Sequence, residues 1–237
     1  MATKHGLVKK TPLSEFKNLR KSGLIAINLR EGDELLKVKV TRGDADIIIV
    51  SQEGNAIKFN EQDVRPMGRT ASGVKSMNLR ENDIAVCMDI AVDEEDLLVI
   101  SENGFGKRTP LTEYKRQNRG GVGLITYKIS EKTGKVVGAT VCKPEDELML
   151  INTSGIAIRI NVSDISVTSR SAMGVTLMRT TEEEKVVAVA KIASNGEEES
   201  DEQLTLEACA DNEVIEENND TSLDRLVEEA QKEDIEE

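Results

Sequence analysis

Runs of consecutive apolar residues recur along this chain about every fifty residues: Ile47–Val50, Leu97–Ile100 and Leu148–Ile151. Each is followed by a polar turn ending in glycine, as in Glu53-Gly54, Asn103-Gly104 and Ser154-Gly155. Such pairs supply the positive φ of a tight hairpin. A second strand is expected next, at Ala56–Phe59 or Ile156–Ile160. A polar stretch then leads to another glycine and a third strand, expected at Leu24–Leu29, Val74–Leu79, Leu124–Ile129 and Val175–Thr180. A charged turn precedes a fourth, at Leu35–Val40, Ile84–Ile90, Val136–Val141 and Val186–Ile192. The first copy lacks the opening apolar run, because the chain starts at its glycine turn.

Two glycine registers mark the copies. Gly6, Gly54, Gly104 and Gly155 are spaced 48, 50 and 51 apart; Gly23, Gly73, Gly123 and Gly174 are spaced 50, 50 and 51. One unit has been copied four times, with modules at about 1–43, 44–93, 94–143 and 144–193. Four short β-branched strands per fifty residues read as one propeller blade. A β-sandwich would not repeat so regularly, and solenoid coils are usually shorter. The pattern therefore predicts an all-β, propeller-like ring or arc whose core is shared between neighbouring modules.

Charge divides the chain. The formal net charge is -13, yet residues 194–237 carry 18 acids and two bases, leaving residues 1–193 at +3. The acidic tail is expected to be mostly disordered and solvated. Within it, residues 222–236 could form a short helix capped by Ser222, with Leu223, Leu226, Val227 and Ala230 on one face. A tail so acidic could also compete with a polyanion for basic residues.

The bases of the modules keep register. Four residues after the first marker glycine stand Lys10, Lys58, Arg108 and Arg159, and Lys9 and Lys107 precede two of them. A second base register lies ahead of the other glycine, at Arg69, Arg119 and Arg170, with Arg20 one residue out of step. Single bases on strand faces commonly keep sheets soluble and discourage edge pairing. Two registers filled in all four modules instead suggest a cationic track around the outside. Such a track suits the backbone of duplex DNA, whose affinity comes mainly from phosphate contacts. Nothing resembles a base-reading helix, so recognition would follow backbone and bendability. With aromatic residues at 2%, stacking on single strands is disfavoured. The second reading is a propeller that binds proteins and no nucleic acid.

Catalytic chemistry is not legible. The single His5 sits beside a turn glycine, and Cys87, Cys142 and Cys209 lack metal-type spacing. Three unpaired thiols fit a reducing cytoplasm. No P-loop, signal peptide or membrane-length apolar run is present.

Residues 1–193 resemble the C-terminal domains of bacterial DNA gyrase A subunits. The resemblance rests on Gly6-Leu7-Val8-Lys9-Lys10-Thr11 with Ser14-Glu15-Phe16, on Asn103–Thr109 with Glu113-Tyr114, on Val136–Ala139, and on Ser171–Val175. The related topoisomerase IV subunit, with more degenerate blades, ranks second. The resemblance implies a β-pinwheel, in which neighbouring blades exchange a strand. It implies that duplex DNA wraps around a basic rim. The wrap would support ATP-dependent negative supercoiling, with the remainder of the gyrase A chain and the gyrase B chain in an A2B2 complex. The cleavage tyrosine and the ATP and Mg sites lie elsewhere in that enzyme, so Tyr114 and Tyr127 are not read as catalytic. No cofactor or membrane partner is expected for this chain, and its location would be a bacterial cytoplasm, on chromosomal DNA. The family usually has six blades, and the four here match its last four. Gln117-Asn118-Arg119-Gly120-Gly121-Val122-Gly123 resembles the family's glycine-rich basic box. Asn118 and Val122 replace two of its bases, and the segment lies in a later blade.

Overall fold

The computed structural model describes residues 1–18, 21–181 and 183–192. The expected acidic tail, its helix at 222–236, and Arg20 lie outside them. Fifteen strands run in chain order: β1 Ala2–Thr3, β2 Leu7–Val8, β3 Leu35–Lys37, β4 Asp46–Ser51, β5 Asn55–Asn60, β6 Val74–Lys75, β7 Ala85–Ala91, β8 Asp96–Ser101, β9 Phe105–Pro110, β10 Leu124–Ile125, β11 Val136–Cys142, β12 Glu147–Asn152, β13 Ala157–Asn161, β14 Val175–Thr176 and β15 Val186–Ile192. Single 3₁₀ turns at Leu13–Phe16, Glu61–Asp63, Leu111–Glu113 and Val162–Asp164 follow the second strand of each module.

The strands make four antiparallel sheets ordered β3-β1-β2-β6, β10-β5-β4-β7, β11-β8-β9-β14 and β13-β12-β15. The third strands of the second, third and fourth modules leave home. β6, β10 and β14 add to the outer edge of the preceding module's second strand, with Val74 opposite Val8, Leu124 opposite Ala56 and Val175 opposite Gly106. Neighbouring modules are thus tied by exchanged strands.

Two expected elements stand apart from this exchange. Leu24–Leu29 is not a strand, and among the described residues no second strand pairs with it. The fourth sheet has three strands among the described residues, ordered β13-β12-β15. The first module does have an opening strand: β1 pairs with both β2 and β3, although Ala2–Thr3 is too short to show as an apolar run.

The apolar runs owe their continuity to burial on both faces. In β4, Ile47 and Ile49 point into a core with Ala2, Val8, Ile57 and Phe59, while Ile48 and Val50 point into another with Leu97, Val99 and Tyr114. In β8, Leu97 and Val99 join that second core, and Leu98 and Ile100 join a third with Leu148, Leu150 and Val162. Each joint between modules therefore has its own core; β4 and β8 each serve two, whereas β12 buries Leu148 and Leu150 in one and leaves its other face half-buried. A strand clothed on both faces loses the alternation of a half-exposed strand and reads as a solid run.

Fourth strands of all four modules line a central cavity of about 580 Å³, with Leu36, Cys87, Ala139 and Val189 among its walls. Second strands face away from it and carry the exchanged strands. The architecture is an all-β, four-bladed, propeller-like arrangement.

Candidate nucleic-acid interface

The marker glycines sit at the exchanged strands. A Cβ on Gly104 would run into the backbone carbonyl of Met178, and one on Gly174 into that of Gly106. The amides of Leu177 and Met178 both donate to the Gly104 carbonyl, at 2.8 and 3.1 Å. Only a residue without a side chain lets the two backbones come this close. The fifty-residue glycine rhythm is the rhythm of the joints.

The bases of the second strands serve the same joints. Lys10 Nζ donates to the Glu61 carbonyl at 3.0 Å. Lys58 Nζ donates to the Leu111 carbonyl at 3.2 Å and to Asp93 at 2.8 Å. Arg108 donates to the Ile165 carbonyl at 2.8 Å, to Asp96 at 3.2 Å and to the Ser163 carbonyl at 3.4 Å. In every case a base of one module satisfies the 3₁₀ turn of the next. Arg159 instead pairs with Glu147 on the neighbouring strand β12.

Lys9 and Lys107 are enclosed more completely. Lys9 Nζ donates to the carbonyls of Ala26, at 2.6 Å, and Arg69. Lys107 Nζ donates to those of Ser169, at 2.7 Å, and Arg170, and lies 5.8 Å from the centre of the Tyr127 ring. Burial pushes the Lys107 ammonium down to about 8; Glu113 opposes the shift and Arg170 adds to it. Burial, then the charge of Arg69, also lowers Lys9.

The outer track expected of these six bases is therefore corrected. Lys9, Lys58, Lys107 and Arg108 are buried, Lys10 is largely covered, and Arg159 alone is well exposed. Strand alternation puts each base on one face with the residue two before it, as Lys58 with Ala56. That face meets the next module instead of solvent, because the turn carbonyls there need donors.

The other base register does reach the surface. Arg69 donates to the Ile25 carbonyl at 3.4 Å, Arg119 to the Lys75 carbonyl at 3.0 Å, and Arg170 to the Ile125 carbonyl at 3.3 Å. Each acceptor lies two residues after the preceding module's second marker glycine. One contact is thus repeated at three successive modules, each guanidinium half-buried, with Arg119 and Arg170 resting on the exchanged strands β6 and β10. Exposed Lys75 belongs to the same seam, since its own carbonyl holds Arg119. Lys128 and Arg179, five residues after Gly123 and Gly174, are exposed as well. Sequence reasoning missed these two, although their shared spacing from the glycines was a readable signal.

The box-like loop straps two modules. Gln117 N donates to the Lys58 carbonyl and Gly120 N to the Ser76 carbonyl, both at 2.7 Å, while the Gly121 carbonyl accepts from Asn78 N at 2.8 Å. Arg119 adds a bond to the Asp63 carbonyl at 2.9 Å. Gly123 takes φ +83 where a Cβ would meet the Ala56 carbonyl. Asn118, Gly121 and Val122 face solvent.

Among the described residues no group of three His, Cys, Asp or Glu could hold a metal ion. Burial raises the thiols of Cys87 and Cys142, the latter to about 12. Tyr114 is buried, bonded to Thr126 and pushed up to about 12 by burial; the Tyr127 hydroxyl donates to the Met173 carbonyl at 2.7 Å. Neither phenol is placed as a nucleophile. No helix among the described residues is long and apolar enough to cross a membrane.

The family model of the DNA gyrase C-terminal domain, a beta-propeller, matches residues 1–42, 45–86, 95–143 and 146–193. The DNA gyrase A protein of Clostridium acetobutylicum is 68% identical over 199 residues, 84% of this chain and 24% of that protein. Its counterpart in Klebsiella oxytoca is 40% identical over 227 residues, 91% of this chain and 26% of that protein. The chain thus spans about a quarter of the length of these relatives. A solved DNA gyrase A C-terminal domain superposes with a TM-score of 0.72 at 30% identity, over 81% of this chain and 64% of that one. The C-terminal domain of a DNA topoisomerase IV superposes with a TM-score of 0.79 at 29% identity, over 88% of this chain and 65% of that one.

Proposed function

Because this chain belongs to the DNA gyrase C-terminal domain family, we propose that it binds duplex DNA without sequence specificity and wraps it along the arginine-bearing outer seams. In this reading it works as the C-terminal part of the gyrase A chain. The wrap biases the handedness of the DNA crossing. The complete type II topoisomerase, with the rest of the A chain and the gyrase B chain, then adds negative supercoils using ATP. Strand cleavage and ATP hydrolysis fall to those other parts.

The observation that carries the reading is the threefold repeat of Arg69, Arg119 and Arg170 on successive seams. A guanidinium has five N–H donors, and each of these spends one or two on carbonyls, which fixes the side chain and leaves donors for phosphate oxygens. Equivalent cations one module apart present a curved row that a bent phosphate backbone can follow. The buried bases contribute indirectly: by latching the modules they set the spacing of the row.

Duplex affinity measured across salt tests this. Each phosphate neutralised adds about 0.9 to the slope of log affinity against log salt. Relaxing a plasmid with the chain bound, and reading the sign of the trapped writhe, tests the wrap. A flat salt dependence would discard the DNA reading, and partners that survive nuclease treatment would favour a protein-binding propeller.

A further inference from the structure

The three seam arginines are not held with equal strength. Arg119 uses two donors, on the Asp63 carbonyl at 2.9 Å and the Lys75 carbonyl at 3.0 Å. Arg69 and Arg170 make one such bond each, at 3.4 and 3.3 Å, long for an N–H donor. A guanidinium held by one long bond keeps much of its rotamer freedom. Its direction then depends on the backbone that carries it.

At those two seams a buried lysine grips that backbone. Lys9 Nζ donates to the carbonyl of Arg69 itself, and Lys107 Nζ to that of Arg170. Lys107 also takes the Ser169 carbonyl, at 2.7 Å. On the other side of the same residue, the Arg170 amide donates to Glu113 at 3.2 Å. Both main-chain polar groups of Arg170 are thus fixed by charges, an ammonium on the oxygen and a carboxylate on the nitrogen.

Packing does not call for a lysine here. Lys9 and Lys107 stand three residues after a first marker glycine, and the same position in the second and fourth modules is Ile57 and Ile158. Ile57 is fully buried, so an apolar side chain fills that place at the seam where Arg119 is anchored twice. An enclosed ammonium carries a desolvation cost that isoleucine does not. Lys107 is itself fully buried, so its charge does not reach a phosphate directly.

We propose that Lys107 and Glu113 are positioning residues for duplex binding, which fix the main chain of Arg170 and so aim its guanidinium at a phosphate; Lys9 does the same for Arg69. This role rests on the DNA reading above. Glu113 is its sharpest member, because an exposed carboxylate beside a cationic row acts on charge alone against the duplex.

Glu113→Gln and Glu113→Ala, each in the full chain, test the role. Both remove the same charge, but only glutamine keeps an oxygen that accepts the Arg170 amide. Glu113 is exposed, so neither change endangers the fold. Glu113→Gln is expected to bind a duplex oligonucleotide about three- to tenfold more tightly than Glu113→Ala, the effect of one hydrogen bond. In an Arg170→Ala background the two should bind alike. Lys107→Met should weaken binding and lower the slope of log affinity against log salt by about 0.9, the loss of one phosphate contact, and do neither once Arg170 is alanine. A lysine that only stabilised the fold would show no such coupling. Equal affinities for Glu113→Gln and Glu113→Ala, or a difference that persists without Arg170, overturn the positioning role while duplex binding stands. If Arg170→Ala alone leaves affinity and slope unchanged, the DNA reading of this seam falls with it.

Discussion

Arg108 and Arg159 stand four residues after equivalent glycines, on second strands of the same register, and meet opposite surroundings. Arg108 is enclosed in the joint between the third and fourth modules, its side chain 9% exposed and bonded to two carbonyls and a carboxylate. Arg159 lies on the open face of the fourth module, 60% exposed and paired with Glu147. The strands differ in the same way: every residue of β5 is buried, while β13 alternates between exposed and half-buried. One sequence register therefore means latch or surface according to whether a 3₁₀ turn of another module packs against it. A base repeated in a modular protein reports first on the contact between modules, and on ligands only where that contact leaves it uncovered.

The sharpest way to break this comparison is to remove both guanidiniums. Arg108→Met strands Asp96 and the turn carbonyls in a covered joint, and is expected to cost about 3–5 kcal/mol in urea unfolding. Arg159→Met removes an exposed pair and should cost under about 1 kcal/mol. Equal costs would sink the latch account.

The glycines give a second contrast. Gly104→Ala and Gly155→Ala impose the same backbone strain, since φ is +77 and +78, at about 1–2 kcal/mol. The first also drives a Cβ into the Met178 carbonyl, whereas the second meets open space. Gly104→Ala should therefore be the more destabilising by about 1–3 kcal/mol, as overpacking generally is.

A smaller effect is expected at Lys107, whose replacement by Met leaves two buried carbonyls without their donor, at about 1–3 kcal/mol. Its pH dependence sharpens the point. Between the folded value of about 8 and the ordinary 10.5, the unfolded chain binds a proton that the folded chain does not. Stability therefore rises with pH across that window through this group. Tyr114, raised by burial, acts in the opposite sense at higher pH, so the difference between the chain and Lys107→Met isolates the lysine. That difference should grow as pH rises from 8 to 10.

Least in size, removal of residues 194–237 is expected to tighten duplex binding at low salt and to lose its effect at high salt, where screening shortens electrostatic reach. Unchanged affinity at low salt would exclude competition between tail and DNA.

Much of the fold was legible because its causes are local. Apolar runs, hairpin glycines and the fifty-residue rhythm located the modules, and the long strands fall within a residue or two of their expected ends. What local pattern could not show is partnership. Val74, Leu124 and Val175 start exchanged strands, yet nothing in their composition separates a strand that stays from one that crosses to a neighbour; the pinwheel entered only through the family resemblance. The same limit misplaced the bases. Alternation puts Lys58 and Ala56 on one face, but which face meets water depends on what packs against the strand. Arg69, Arg119 and Arg170 were placed better because they stand in loops outside the joint, where no later module covers them.

The account turns on the division between bases that fasten modules and arginines proposed to face DNA. The most direct measurement is the salt dependence of duplex affinity for the chain and for Arg69→Ala/Arg119→Ala/Arg170→Ala. With three phosphate contacts removed, the slope of log affinity against log salt should fall by about 3. A triple variant that binds duplex with the slope of the unmodified chain would contradict the account.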